Sequence, residues 1–193
     1  MTDYIPNKKP VAAYLFWSGS NRQPISIAIA AVTRPGRFSH TGLIFVLRDP
    51  DGNIERVIHE AHIDTGYAEK PLQRLRTWSE KRGNFYEAHA LDLTAWELDQ
   101  LYLDSLSAMQ RYKTASGYDG RQLFRLLLWD ACLSKMGFSV SDDDRAVVCS
   151  EITSRLCRLR GIDLRERQGE TFDEATPNST WRAWMARKGG AVA

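Results

Sequence analysis

The chain is 193 residues long, 43% hydrophobic and 26% charged, which is enough for one domain with a sizeable core. Its 26 Lys and Arg against 24 Asp and Glu give a formal net charge of +2, which argues against a protein built mainly to grip nucleic-acid phosphates. An aromatic content of 10%, including six Trp, argues against disorder, because disordered chains lack the apolar surface to offset the entropy of ordering.

In chain order, Val11–Trp17 is a short apolar run closed by Ser18-Gly19-Ser20 and reads as a buried strand. Pro24–Val32 reads as a helix, since Pro24 suits a first turn and Pro35-Gly36 makes a stop. Leu43–Arg48 and Ile54–Glu60 are rich in strand formers, and Asp49-Pro50-Asp51-Gly52-Asn53 between them is turn chemistry, so the two form a hairpin. Asn84–Leu93 reads as a further strand. Thr94-Ala95-Trp96-Glu97 has capping-box spacing ahead of a helical stripe of Leu98, Leu101, Tyr102, Leu106 and Met109. Arg121–Cys132 and Val147–Leu159 read as two more helices. Strands and helices are segregated more than alternated, so the expected fold class is α+β rather than a doubly wound α/β sheet. No repeat, low-complexity tract or linker splits the chain, so residues 1–193 are expected to be a single domain. Its core would run from about 11 to 184, and a basic tail over 185–193 would fray.

No apolar run approaches the ~20 residues of a membrane-spanning helix, and no secretory signal pattern opens the chain. The expected location is therefore cytoplasmic, and the sequon Asn178-Ser179-Thr180 carries no meaning there. The three cysteines, Cys132, Cys149 and Cys157, form no C-x-x-C pair. Cys149 and Cys157 are eight apart on one expected helix, about 12 Å along its axis, too far for a disulfide. Reduced thiols follow. Arg155, Arg158, Arg160, Arg165 and Arg167 cluster in sequence; a solvated face is the expected account, an anionic partner the other.

Cys149 stands where Ala146-Val147-Val148 gives way to Ser150-Glu151 and a helical stripe. A sulfur near a helix N-terminus is biased toward thiolate by the dipole and the free N–H groups, which can also hold an oxyanion. The plain alternative is a small core residue, which suits Cys132 and Cys157 better because each lies inside an apolar helix. A thiol nucleophile needs a base. His40, in Phe38-Ser39-His40-Thr41-Gly42, sits at the mouth of the strand Leu43–Arg48. If Arg48 pairs with Ile54, His62 falls opposite His40 and Glu60 opposite Gly42, both on the face of His40, while His59 points away; a one-residue slip exchanges these roles. A histidine and a carboxylate on one face make a base and its orienter. A metal site at His59-Glu60-Ala61-His62 is the weaker reading, since i and i+3 on a strand face apart and the run is not H-E-x-x-H. No Walker loop, G-x-G-x-x-G or G-x-S-x-G occurs.

Ser39-His40-Thr41-Gly42-Leu43-Ile44, then Val57-Ile58-His59-Glu60-Ala61, then Cys149-Ser150-Glu151-Ile152, in that order, resemble the circularly permuted papain-like hydrolases. These are the YiiX-like branch of the NlpC superfamily, related to the lecithin:retinol acyltransferase group. Weaker matches are Tyr118-Asp119 before the cysteine helix and Thr176-Pro177 after it. The resemblance implies a permuted papain-like fold, with a central antiparallel sheet packed against helices. It implies Cys149 as nucleophile, His40 as base and Glu60 as the third polar residue, with His62 open for that role because a second histidine takes it in the acyltransferase relatives. No cofactor and no metal are implied. The expected activity is a cysteine hydrolase cleaving an amide bond in a peptide, a peptidoglycan stem peptide or an acyl-amide. The same residues would serve a lipid-directed acyltransferase or thioesterase, and a non-catalytic module of the same fold is the third reading. The expected partner is the substrate, with no nucleic acid and no membrane span.

Overall fold

The computed structural model describes residues 7–32, 36–62, 65–112, 149–166 and 175–189. The expected helix Arg121–Cys132 lies outside them, as do Tyr118-Asp119, Val147, Val148 and Arg167. The described residues form an α+β fold with five strands and five helices. The strands are β1 (Lys9–Ser20), β2 (His40–Arg48), β3 (Ile54–His62), β4 (Gly66–Pro71) and β5 (Asn84–Ala90). The helices are α1 (Pro24–Val32), α2 (Leu72–Ser79), α3 (Ala95–Arg111), α4 (Cys149–Arg158) and α5 (Pro177–Arg187). All strand pairs are antiparallel, in the spatial order β4-β3-β2-β1-β5. No helix among the described residues is long and apolar enough to cross a membrane.

Both faces of the sheet are covered, which explains why β1 reads as an unbroken apolar run rather than an alternation. One face carries Leu15, Trp17, Leu43, Phe45, Leu47 and Val57 into the main core, where Leu98 and Leu101 of α3, Ile152 and Leu156 of α4 and Trp184 of α5 meet them. The other face sets Phe16, Ile44 and Ile58 against Leu72 and Leu75 of α2. α3 starts on the expected capping box: Thr94 and Glu97 bond reciprocally.

The hairpin register is the expected one, with Arg48 opposite Ile54 and Leu43 opposite His59. Several boundaries differ: β1, β2 and β3 each run longer than expected, to Lys9–Ser20, His40–Arg48 and Ile54–His62. β1 runs on through Ser18-Gly19-Ser20, because β5 pairs with those residues. Gly19 serves a close approach there: a Cβ would stand 2.4 Å from the Arg37 carbonyl oxygen. The expected strand Asn84–Leu93 stops at Ala90, where the Leu91 N–H makes a last bond to Ala13 at 2.9 Å before the chain turns into the Thr94 cap. Of the tail expected to fray over 185–193, residues 190–193 lie outside the described residues. α5 continues to Arg187, and Met185 packs against the core while Lys188 lies over the Trp184 ring at 5.1 Å.

β4 and α2 carried no sequence expectation. β4 is only six residues, bounded by Gly66 and Pro71, too short for a readable period; it forms by adding to the edge of β3. The basic cluster is also not a free face. Arg155 pairs with Glu151 at 2.9 Å, Arg158 with Asp163 at 2.9 Å, Arg165 with Asp163 at 2.7 Å, and Arg160 with Asp104 while stacking over Trp96. Carboxylates brought in by the fold neutralise charges that stood together in the sequence.

Candidate active site

The site is assembled where the entry of β2 meets the first described turn of α4. Gly42 and Phe16 shape the strand entry. A Cβ on Gly42 would lie 2.6 Å from the His59 carbonyl oxygen and 2.7 Å from the Phe16 ring, so only glycine lets β3 and that ring come this close. The Phe16 ring then packs against His40, with centroids 6.0 Å apart. Upstream, Asn178 in the first turn of α5 clamps Phe38: its Oδ1 accepts the Phe38 N–H at 2.9 Å and its Nδ2 donates to the Phe38 carbonyl at 2.9 Å. α5 also holds α4, because Ser150 Oγ donates at 2.5 Å to the carbonyl of Ala175, two residues before Pro177. One short region therefore fixes both the strand entry bearing His40 and the helix start bearing Cys149.

Cys149 is buried in the first described turn of α4. Its sulfur is hydrogen-bonded to the His40 side chain and to the backbone N–H groups of Thr41 and Ser150. Burial alone would push the thiol up. The charge and hydrogen bond of His40, then the two N–H groups, outweigh it and hold the thiol below its ordinary value. His40 Nε2 lies 2.9 Å from Glu60 Oε2, which leaves Nδ1 for the sulfur. Burial works against a charged His40 too, but the sulfur and then Glu60 outweigh it, and its pKa is raised to about 10. The pair therefore favours thiolate and imidazolium.

Glu60 is the hinge of the arrangement. Its second oxygen, Oε1, accepts from Lys70 Nζ at 3.0 Å, and both side chains are buried. Burial opposes the carboxylate, but His40 and then Lys70 hold the Glu60 pKa down at about 2. From the main core to the opposite face, groups that carry opposite charges when ionised alternate: thiol, imidazole, carboxylate, amine. Each has an opposite neighbour, the condition under which buried charges persist.

Of the four sequence candidates, three converge: Cys149, His40 and Glu60. His62 lines a cleft on the same side, but the His40 ring is bonded to Glu60. His59 points to the other face, where Ser105 and Glu69 occupy both of its ring nitrogens at 2.8 and 3.0 Å. His59 and Glu60 therefore diverge, and among the described residues no group of three potential metal ligands gathers. Cys157 is fully buried in α4 and burial pushes its thiol up to about 12, which leaves it inert beside Cys149. Two participants had no sequence signal that was read. Lys70 sits on β4, whose pairing with β3 sets Lys70 beside Ile58 and one step diagonally from Glu60. Asn178 belongs to a sequon pattern but is fully buried, with its amide committed to Phe38.

Beside His40 and Glu60 opens a cleft of about 230 Å³ whose walls include Ser26, Ile29, Ile58, Arg74, Leu75 and Trp78. Compared with known proteins, the chain matches no family model and no curated protein.

Proposed function

We propose that this protein is a cysteine hydrolase of amide bonds, arranged on a circularly permuted papain-like plan in which the base precedes the nucleophile along the chain. The observation that carries this reading is the contact between Cys149 and His40, with Glu60 holding the far side of the ring. A thiol at a helix N-terminus, an imidazole against it and a carboxylate behind the imidazole are the parts that acyl transfer through sulfur needs.

In the first half-reaction, the Cys149 thiolate attacks the carbonyl carbon, and its electron pair forms the C–S bond while the C–O π pair moves onto oxygen. The N–H groups at the start of α4 face the developing oxyanion. As the tetrahedral intermediate collapses, the C–N bond breaks and His40 gives its proton to the leaving amine. In the second half-reaction, neutral His40 takes a proton from water as the water oxygen attacks the thioester. The C–S bond breaks, the acid leaves, and thiolate and imidazolium return. Glu60 keeps the ring oriented and stabilises its charge throughout, and Lys70 keeps Glu60 ionised.

A lipid-directed acyltransferase or thioesterase would use the same residues. The serine hydroxyls and the arginine in the cleft beside His40 favour a polar substrate instead. A non-catalytic module would not require the sulfur and the imidazole to touch.

The test is alkylation by iodoacetamide at pH 7, mapped by peptide mass spectrometry, alongside hydrolysis of a panel of peptide, muramyl-peptide and acyl-amide substrates. Selective labelling of Cys149, and hydrolysis lost in Cys149→Ala and Cys149→Ser, are expected. Hydrolysis that persists in both variants, or a Cys149 no more reactive than an ordinary thiol, would overturn the reading.

A further inference from the structure

Among the described residues, the cleft beside His40 has one permanently charged cation in its walls, Arg74, which projects from α2 one turn before Trp78. Arg74 is exposed and has no ion-pair partner among the described residues. Among the described residues the cleft has one carboxylate in its walls, Glu60, and both of its oxygens are already committed, Oε2 to His40 and Oε1 to Lys70. The opposite wall is neutral: Ser26 and Ser39 bond each other at 2.6 Å, and Ser26 also accepts the Ser20 N–H at 2.7 Å. The floor is apolar, from Ile29, Ile58 and Leu75. At about 230 Å³, the cleft falls below the ~300 Å³ at which sites for whole drug-sized ligands begin. It has room for a fragment of a substrate.

Chemistry decides which fragment. Cys149 is absent from the cleft walls, whereas His40 is part of them. In an amide hydrolysis, the acyl half stays on the sulfur and the amine half departs with the proton that His40 supplies. A space reached past His40 rather than past the sulfur is therefore the place of the amine half. A guanidinium there, exposed and with no ion-pair partner among the described residues, in a cleft that also has Ile29, Ile58 and Leu75 in its walls, matches an amine half with an apolar side chain and one carboxylate. The planar fork of Arg binds a carboxylate through two parallel N–H bonds.

Resting on the proposed hydrolase reading, we infer that the cleft is a leaving-group subsite in which Arg74 recognises a free carboxylate. The substrate class is an acyl or peptidyl conjugate whose released amine is an amino acid or short peptide with an uncapped C-terminus.

The experiment compares N-acyl amino acids and N-acyl dipeptides, each as the free acid and as the matched C-terminal carboxamide, on the full chain. The expected kcat/KM is at least tenfold higher for the acids. Arg74→Gln should erase that advantage through KM more than kcat, leave the carboxamides unchanged, and leave alkylation of Cys149 unchanged. The same acids and carboxamides titrated into Cys149→Ala should show the same preference in binding, read by calorimetry, whether or not a pair is turned over. Equal treatment of acid and carboxamide, binding of neither, or a preference that survives in Arg74→Gln overturns the subsite. Those outcomes leave the hydrolase reading standing wherever Cys149 still labels and carboxamides are still cleaved. Loss of Cys149 reactivity in the unmutated protein would remove both.

Discussion

The two faces of the β2–β3 hairpin each bear a histidine bonded to a glutamate at nearly the same distance, 2.9 Å for His40–Glu60 and 3.0 Å for His59–Glu69. Yet their protons behave oppositely. His40 is raised to about 10, while burial lowers His59 despite its carboxylate. His40 has an ionisable sulfur on its other side, so two negative neighbours outweigh the desolvation. His59 has a neutral hydroxyl there, Ser105, itself bonded to Tyr67 at 2.7 Å, and its ring is packed against Phe45 and Tyr102. One glutamate is too little to hold a proton on a fully buried ring. A histidine–carboxylate pair is thus not a site by itself; the third neighbour decides whether it stores charge or only fills the core.

The largest way to break the comparison is to delete each glutamate. Glu60→Ala leaves Lys70 buried without its counter-charge and should cost about 3–5 kcal/mol in urea unfolding. Glu69→Ala, at a side chain that is 40% exposed, should cost about 1 kcal/mol. Equal losses would show that Lys70 does not depend on Glu60.

Removing the rings separates chemistry from packing. His40→Ala should return Cys149 toward an ordinary thiol, which is only a few per cent ionised at pH 7, so alkylation should slow by about thirtyfold. His59→Ala should leave that rate within about twofold and instead lower stability by about 3 kcal/mol, through the cavity and the lost bonds to Ser105 and Glu69. An alkylation rate that follows His59 would reverse the assignment.

Titration sharpens the contrast. At pH 7, nitrogen-15 shifts should show His40 as imidazolium and His59 as neutral imidazole, and Cys149→Ala should lower the His40 pKa by removing the sulfur's charge. For stability, the signs follow from the shifts. Glu60 falls from 4.5 to about 2, so its contribution is full above pH 4.5 and is lost as pH drops toward 2. His59 is lowered below 6.5, so its contribution is full above pH 6.5 and fades as pH falls through its folded value. Urea midpoints against pH should therefore begin to decline below about 6.5, and His59→Gln should remove that upper part alone. The smallest expected effect is Ser105→Ala, about 1 kcal/mol with unchanged Cys149 reactivity.

Much of this arrangement was legible because it rests on short-range rules. The turn Asp49-Pro50-Asp51-Gly52-Asn53 set the hairpin register, and period-two alternation then placed His40 and Glu60 on one face and His59 on the other. The cap at Thr94 and the apolar run of β1 followed from local chemistry in the same way. Other parts depended on partners distant in the chain. β4 exists because the edge of β3 accepts it, and only that pairing carries Lys70 to Glu60. Asn178 shows nothing in sequence of its hold on Phe38, 140 positions away. Arg160, just after α4, read as part of a charged patch until Asp104, 56 positions earlier, was folded against it.

The sequence by itself determined which residue types were available, the helix start at Cys149 and the face on which His40 and Glu60 stand, since these follow from backbone periodicity, turn chemistry and capping over a few residues. Only the tertiary structure decided that the sulfur meets that imidazole, that Lys70 reaches Glu60 and that Arg74 lines a cleft with no ion-pair partner among the described residues. Those facts are set by the packing of β2, β4, α2, α4 and α5 around one sheet, where burial and neighbouring charge, not residue identity, fix what each group does.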